Sequence, residues 1–164
     1  MTRFGKIIRR FQGDENGAAL VEAAITVPLV LLLSAGVFEF SNILNTRLLL
    51  EAGVEDAGRY MARCSSDWET CKGRAQNLAA YGTITSGTAR VTGWAPATVL
   101  ITKALSTPAV DVATGTQLYL SSTANVDVVD VSTSYSYPDV GFWSALGFGA
   151  LTLSVSHQER VIGW

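Results

Sequence analysis

Glu22 places a carboxylate near the start of a long run of apolar side chains. The sixteen positions from Ala23 to Phe38 carry no charge, and the next acid, Glu39, ends the run. A carboxylate at the edge of a hydrocarbon layer is costly unless it is paired or reaches water between the headgroups. Two roles are therefore open for Glu22: contact with interfacial water, or neutralisation of an ammonium group on its own or a neighbouring helix.

The apolar run itself predicts a transmembrane helix over residues 18–40. About twenty apolar residues are enough to cross a bilayer, and only a helix satisfies its own backbone in lipid. A leader over residues 1–17 precedes it and contains the basic residues Arg3, Lys6, Arg9 and Arg10. Basic residues before a span favour a cytoplasmic N-terminus. We therefore expect the chain beyond the span to lie outside the cytoplasm.

The spacing of Gly17 and Glu22 resembles the cleavage pattern of type IV prepilins. In that pattern a small residue precedes an apolar helix, and an acid stands at the fifth position after it. The resemblance implies that a prepilin peptidase cuts after Gly17 on the cytoplasmic side and leaves the helix attached. Cleavage there creates a new ammonium group on Ala18. The carboxylate of Glu22 can then neutralise such a group in lipid and register one subunit against another.

Further residues narrow the resemblance to the TadE-like family, minor pilins or pseudopilins of the tight-adherence (Flp) pilus system. The residues that carry it are Gly17, Glu22, Pro28, Gly36, the triplet Phe38-Glu39-Phe40 and a helical stretch ending near Arg59-Tyr60. The resemblance covers Arg9 to Arg63. One departure is Ala23, at a position where this pilin group usually has an aromatic residue.

The helical pattern continues beyond the span over residues 41–63. Leu50, Val54, Ala57 and Met61 follow the spacing of a buried stripe on one helix face. Charged residues recur every four positions on another face: Arg47, Glu51, Glu55, Arg59 and Arg63. Gly53 and Gly58 lower the helix propensity and mark either a bend or a close packing contact. We expect this amphipathic half to support a small domain.

Cys64 and Cys71 are the only cysteines of the chain. If the topology above holds, both lie in an oxidising compartment, where a disulfide is expected. Zinc binding is disfavoured because the single histidine, His157, is remote in sequence and no further thiolates exist. A redox-active pair would favour a spacing of two intervening residues. The sequence therefore predicts a structural disulfide.

Residues 64–164 are predicted to form an α+β domain, with a short helix followed by a small antiparallel sheet, as in pilin-like folds. The helix is expected over Thr70–Tyr81. Beyond Gly82, threonine, serine and valine favour strands. The expected strands are Thr88–Thr92, Val99–Lys103, Gln117–Leu120, Val126–Tyr137 and Leu151–Val161. The alternation of Val126–Tyr137 slips by one residue between Val128 and Val129, as a β-bulge would require. The link over residues 142–150 is rich in aromatic residues and is expected to cover the sheet, with a subunit contact or a membrane-proximal patch as alternatives.

No combination of residues in this sequence predicts an active site, a metal site or a cofactor. His157 stands alone, no serine lies in a nucleophile elbow, and the glycines near Phe148 lack the lysine of a phosphate loop. Asp127, Asp130 and Asp139 could bind calcium only if folding brought their oxygens together. The net charge of -2 argues against a general nucleic-acid binder. We therefore expect a protein that is not an enzyme.

The resemblance implies a function in pilus assembly. The implied partners are the prepilin peptidase, the major Flp pilin, a companion minor pilin, the inner-membrane assembly platform and membrane lipid. The implied location is the bacterial inner membrane, with a single span, a cytoplasmic N-terminus and a periplasmic domain. The protein is then either held in that membrane or extracted into an extracellular pilus. Two alternatives remain open: a permanently anchored envelope protein whose outer domain binds a ligand, and a secreted binding domain released after cleavage near Gly36.

Overall fold

The computed structural model describes residues 15–119, 121 and 123–161. Most of the predicted leader therefore lies outside the described residues. The elements follow in this order: helix α1 (Glu15–Arg63), helix α2 (Trp68–Tyr81), a 3₁₀ turn (Pro96–Thr98), strand β1 (Val99–Pro108), strand β2 (Asn125–Tyr137), the four-residue helix α3 (Phe142–Ala145) and strand β3 (Leu151–Arg160). A long apolar helix, a short helix and an antiparallel sheet confirm the predicted α+β fold.

The chain divides into two units, the first ending at Ser41 and the second beginning at Asn42. In the described residues, the first unit is a stretch of α1. The second unit contains the rest of α1, helix α2 and the sheet. The strands lie in the order β1-β2-β3, and both neighbouring pairs are antiparallel.

The sheet contains the irregularity that the sequence placed between Val128 and Val129. In the register, Lys103 pairs with Val129 and Leu105 pairs with Val128, so the extra residue is Ala104 on β1. The predicted slip is therefore at the expected point, but the additional residue belongs to the partner strand. Beyond it β1 continues to Pro108, five residues further than predicted.

The core of the second unit lies between α1, α2 and one face of the sheet. Leu50, Val54, Ala57 and Met61 are all buried, which confirms the predicted stripe. From α2 the buried residues are Cys71, Ala75, Ala79 and Ala80, and the sheet contributes Val99, Ile101, Val129, Val131, Tyr135, Tyr137, Leu153 and Val155. Another face of α1 carries the predicted charged residues, which form exposed pairs, Arg47 with Glu51 and Arg59 with Glu55.

Two glycines of α1 mark close packing, one of the two alternatives that the sequence left open. A Cβ at Gly53 would lie 2.5 Å from the carbonyl oxygen of Ala79 and 2.6 Å from the ring of Trp94. A Cβ at Gly58 would lie 2.8 Å from Cδ2 of His157. The absence of a side chain therefore lets α2 and β3 approach α1 at these positions.

The Cys64–Cys71 disulfide is present, with 6.0 Å between the Cα atoms. It closes the turn between α1 and α2. At the start of α2 the side chain of Asp67 accepts a hydrogen bond from the backbone N–H of Thr70, an N-cap that also lowers the pKa of Asp67. At its end Gly82 adopts the left-handed conformation, and its N–H bonds to the carbonyl of Leu78. The short helix thus begins two residues before its predicted start.

Two predicted strands are wrong. Residues 88–92 form no strand, because the segment is fixed by a turn: the N–H of Arg90 bonds to Ala80 O, and the N–H of Trp94 bonds to Val91 O. Over the described part of Gln117–Leu120 the chain makes only an isolated bridge between Val110 and Gln117. Leu120 itself lies outside the described residues.

Candidate functional site

The part of α1 before Asn42 exposes nearly all its large apolar side chains. They are Leu20, Val21, Ile25, Val27, Leu29, Val30, Leu31, Leu32, Leu33, Val37, Phe38 and Phe40. The most apolar eighteen-residue window of the helix has a mean hydropathy of 2.2, and none of that window is buried. A helix that is apolar all round requires an apolar surrounding. By length and composition α1 is a candidate membrane span.

The predicted processing and assembly residues lie at the beginning of this apolar surface. Gly17, Ala18 and Glu22 are all within α1, and the side chains of Ala18 and Glu22 are exposed. Ala18 and Glu22 are four residues apart, which places them on one helix face about 6 Å apart along the axis. The helix therefore brings the acid next to the position where cleavage would create an ammonium group.

The helix is continuous through the residues that could interrupt it. Pro28 lies inside α1, and the hydroxyl of Ser34 donates to the carbonyl oxygen of Val30 at 2.8 Å. An internal hydroxyl bonded in this way needs no partner outside the helix. The apolar surface is consequently presented by one unbroken helix.

Comparison with known families gives a match to the model of the TadE-like protein family over residues 17–59. The N-terminal helix is TadE-like. The match begins at Gly17, includes Glu22 and extends into the packed half of α1, and it confirms the resemblance inferred from the sequence. No curated protein and no solved structure matches the chain significantly.

The aspartates considered for calcium binding are separated in the structure. Asp127 accepts from Nζ of Lys103 at 2.7 Å and from the hydroxyl of Ser106 at 2.7 Å, and these bonds lower its pKa. Asp130 accepts from the side chain of Gln158. Within the described residues no three His, Cys, Asp or Glu side chains are grouped as a metal site.

His157 is placed by packing and by one acidic neighbour. Its Nε2 lies 3.1 Å from Oε2 of Glu159, and its ring lies against Gly58 on α1. Both side chains are about one-third exposed. His157 is therefore a residue that packs β3 against α1.

The turn after β2 contains Asp139, which the sequence analysis considered only as a calcium ligand. The carboxylate of Asp139 accepts from the hydroxyl of Ser144 at 2.5 Å and from three backbone N–H groups, those of Gly141, Trp143 and Ser144. The Ser144 hydroxyl and these amides lower the pKa of Asp139 to about 2. The signal in the sequence was the Pro-Asp-x-Gly turn pattern at residues 138–141.

The aromatic link after that turn covers the sheet only in part. Trp143 packs against the core as a partly buried residue, whereas Leu146 and Phe148 are exposed. The expectation that residues 142–150 cover the sheet therefore holds for Trp143 and is wrong for Leu146 and Phe148.

Proposed function

We propose that this chain is a minor pilin or pseudopilin that acts in the assembly of a tight-adherence pilus after a prepilin peptidase cuts it following Gly17. The observation that carries the proposal is the TadE-like match over residues 17–59. The exposed apolar surface of α1 supports it, because such a helix can be held in lipid before assembly and can pack against other apolar helices after it.

The proposed orientation places the N-terminus in the cytoplasm and the unit from Asn42 onward in the periplasm, with α1 crossing the bacterial inner membrane. The basic residues of the leader support a cytoplasmic N-terminus. The Cys64–Cys71 disulfide supports an oxidising compartment for the second unit. Both arguments give the same orientation from residues on opposite sides of the span.

Glu22 is the proposed registry residue. Cleavage after Gly17 would leave an α-ammonium on Ala18, one helical turn from the exposed carboxylate. In lipid an acid next to an ammonium is far less costly than either charge alone. When two such helices pack side by side, the carboxylate of one can pair with the ammonium of its neighbour and thereby set their axial offset.

The role proposed here is structural rather than catalytic. The partners proposed from the family resemblance are the prepilin peptidase, the major Flp pilin, a companion minor pilin and the inner-membrane platform. Membrane lipid is the proposed surrounding of α1 before assembly. Nucleic acid is not a proposed partner, because the chain has a net charge of -2.

The N-terminal sequence of the mature protein, purified from membranes of the native host, tests the processing step. A start at Ala18 supports the proposal. A start at Met1 or Thr2 would instead indicate a permanently anchored envelope protein, and a start near Val37 a secreted domain. Gly17→Leu should block cleavage by placing a bulky side chain at the cut, whereas Ala24→Leu, on the same exposed helix, should be cut normally.

Replacing Glu22 tests the registry role. We expect Glu22→Ala to insert into the membrane normally but to lower the number of pili by roughly tenfold or more, since a desolvated charge pair is worth a few kcal/mol and about 1.4 kcal/mol is tenfold. Glu51→Ala removes an equal charge from the second half of α1, where Glu51 makes an exposed pair with Arg47, and serves as the control. Pili would be counted by electron microscopy. A normal count for Glu22→Ala would exclude the registry role.

A further inference from the structure

Strand β3 lies at one edge of the sheet, and half of its backbone groups point away from β2. Within the described residues it pairs with β2 alone. The N–H of Val161 donates to the carbonyl oxygen of Asp127 at 2.8 Å, in the same register as the rest of the ladder. Directly opposite residues of an antiparallel pair alternate between bonded and non-bonded. The odd-numbered residues of β3 therefore bond to β2, and the even-numbered residues from Thr152 to Arg160 present their N–H and C=O groups outward.

Strand β1, at the other edge, is protected against pairing with a further strand. The carbonyl oxygen of Val99 accepts a hydrogen bond from Nε2 of Gln76 on α2 at 2.9 Å. The strand also contains Lys103 and the irregularity at Ala104, and it ends at a proline. Edge lysines, bulges and prolines are features that limit strand addition. None of these features occurs in β3, whose register with β2 is continuous.

A groove of about 400 Å³ borders the outward edge of β3. One wall is formed by residues 154–157 of the strand, and charged side chains of α1 form the other, Arg47 and Glu55 among them. Ser154 and Ser156 are exposed and alternate with the buried Val155, so their side chains face away from the core. Both walls belong to the second unit. The outward backbone groups of the two serines therefore lie next to open space.

The chemistry of this edge specifies what can occupy it. A row of N–H and C=O groups that repeats every second residue, about 7 Å, is matched by another extended backbone. A second copy that paired through its own β3 would bring its own α1, because α1 packs on β3, with the ring of His157 against Gly58. Paired strands lie about 4.8 Å apart, whereas packed helices need about 8–10 Å. A single extended segment brings no helix and avoids this conflict.

We propose that the edge of β3 binds a single extended segment of another protein, which adds a fourth strand to the sheet. Backbone hydrogen bonds to the even-numbered residues of β3 hold the segment. Its side chains meet the hydroxyl groups of Ser154 and Ser156 on one face and the charged groove on the other. The segment is therefore polar and has no proline at the bonded positions. The inference goes beyond the proposed function, since it uses only residues after Asn42 and does not depend on cleavage at Gly17.

Residue-resolved hydrogen exchange of the full chain tests whether the edge is paired. The tagged chain, solubilised in mild detergent from membranes of the native host, is compared with the same chain made alone in a heterologous host. Alone, the N–H groups of Ser154 and Ser156 should exchange at least about tenfold faster than those of Val155 and His157, which bond to β2. In the sample from the native host, the two serine N–H groups should exchange about tenfold more slowly than in the chain alone.

Two results of this comparison would overturn the proposal. Slow exchange of the serine N–H groups in the chain made alone would mean that the chain itself covers the edge. Fast exchange of these groups in both samples would mean that no strand is added.

A proline at position 156 tests recognition through the backbone. The N–H of Ser156 points away from β2, so Ser156→Pro removes a donor from the edge and no bond from the ladder. Ser156→Ala retains the N–H and is the matched control. A photoreactive p-benzoylphenylalanine in place of Ser154 is activated in intact cells of the native host, and the cross-linked residues are mapped by mass spectrometry. We expect a cross-link to an extended segment of another protein, lowered at least about fivefold by Ser156→Pro and unchanged by Ser156→Ala.

The other outcomes of the cross-linking contradict the proposal. A cross-link that persists in Ser156→Pro would overturn backbone pairing, and no cross-link from position 154 would overturn the contact itself. A cross-link to β3 of a second copy would identify a dimer and overturn the single-segment occupant. If Ser156→Pro fails to fold, the exchange measurement still decides, because it uses the unaltered chain.

Discussion

The half of helix α1 before Asn42 exposes its apolar side chains on all sides, whereas the half after it buries one stripe and charges the opposite face. Both halves belong to the same continuous helix. In the first half, the sixteen residues from Ala23 to Phe38 carry no charge. In the second half, apolar and charged residues alternate with helical spacing. The difference indicates two environments, an apolar one on every side and a packed domain on one side.

The comparison also separates residues for folding from residues for assembly. In the second half, the buried positions hold α2 and the sheet against the helix, so substitutions there should change stability. In the first half, substitutions should leave the fold of the second unit unchanged and affect only insertion or assembly. Leu50 is the clearest residue of the folding class, and Glu22 is the clearest residue of the assembly class.

The largest effect is expected for Leu50→Ala, which removes a side chain that is 0% exposed. The resulting cavity should lower the free energy of unfolding of the second unit by about 2–5 kcal/mol. Leu48→Ala, two residues away and 62% exposed, and Leu31→Ala, in the first half, should change it by less than about 0.5 kcal/mol. Denaturant titration in detergent micelles, followed by near-UV circular dichroism, measures all three. Equal losses of unfolding free energy for Leu48→Ala and Leu50→Ala would contradict the distinction between buried and exposed positions of α1.

A smaller effect, with opposite signs in two helices, is expected from replacing glycines by alanine. At Gly53 the added methyl group would meet the backbone oxygen of Ala79 and the ring of Trp94, so we expect a loss of about 1–3 kcal/mol. At Gly73 in α2 nothing lies within 4 Å of the added group. There the gain in helix propensity should stabilise by up to about 1 kcal/mol. Thermal unfolding compares the two variants, and a stabilised Gly53→Ala would show that the helices can separate at no cost.

Much of the fold follows from the periodicity of the sequence. The helical spacing of Leu50, Val54 and Ala57 predicts the buried stripe, and long alternation predicts β2 and β3. The segment 88–92 has the same alternation but no strand neighbour to bond with. Arg90 instead reaches Asp56 on α1, with 2.5 Å between Nη2 and Oδ2. A pattern of five residues cannot distinguish these outcomes, because the competing contact comes from 34 residues away.

Other features depend on contacts between segments that are distant in sequence, which no local sequence pattern encodes. Trp94 is buried, donates its indole N–H to the hydroxyl of Thr133 at 3.1 Å and fills the space left by Gly53. The sequence marks Gly53 as unusual in a helix, but not the ring that occupies its place. The candidate residues Gly17, Ala18 and Glu22 are different, since their relation depends only on helical spacing, and the sequence was sufficient to put Ala18 and Glu22 on one face.

The smallest predicted effect concerns the turn after β2, which precedes the exposed side chains of Leu146 and Phe148. Its anchor, Asp139, has a pKa of about 2, below the ordinary 3.8, because the Ser144 hydroxyl and three amides stabilise the carboxylate. A depressed pKa means that this stabilisation is complete above about pH 4 and is lost as the pH falls through about 2. The carboxyl carbon shift of Asp139, followed by NMR in micelles, should therefore titrate near pH 2, and the amide shift of Ser144 should move with it. Asp139→Asn should abolish the amide titration, since the side chain no longer ionises. A midpoint near the ordinary value would mean that Asp139 does not hold this turn.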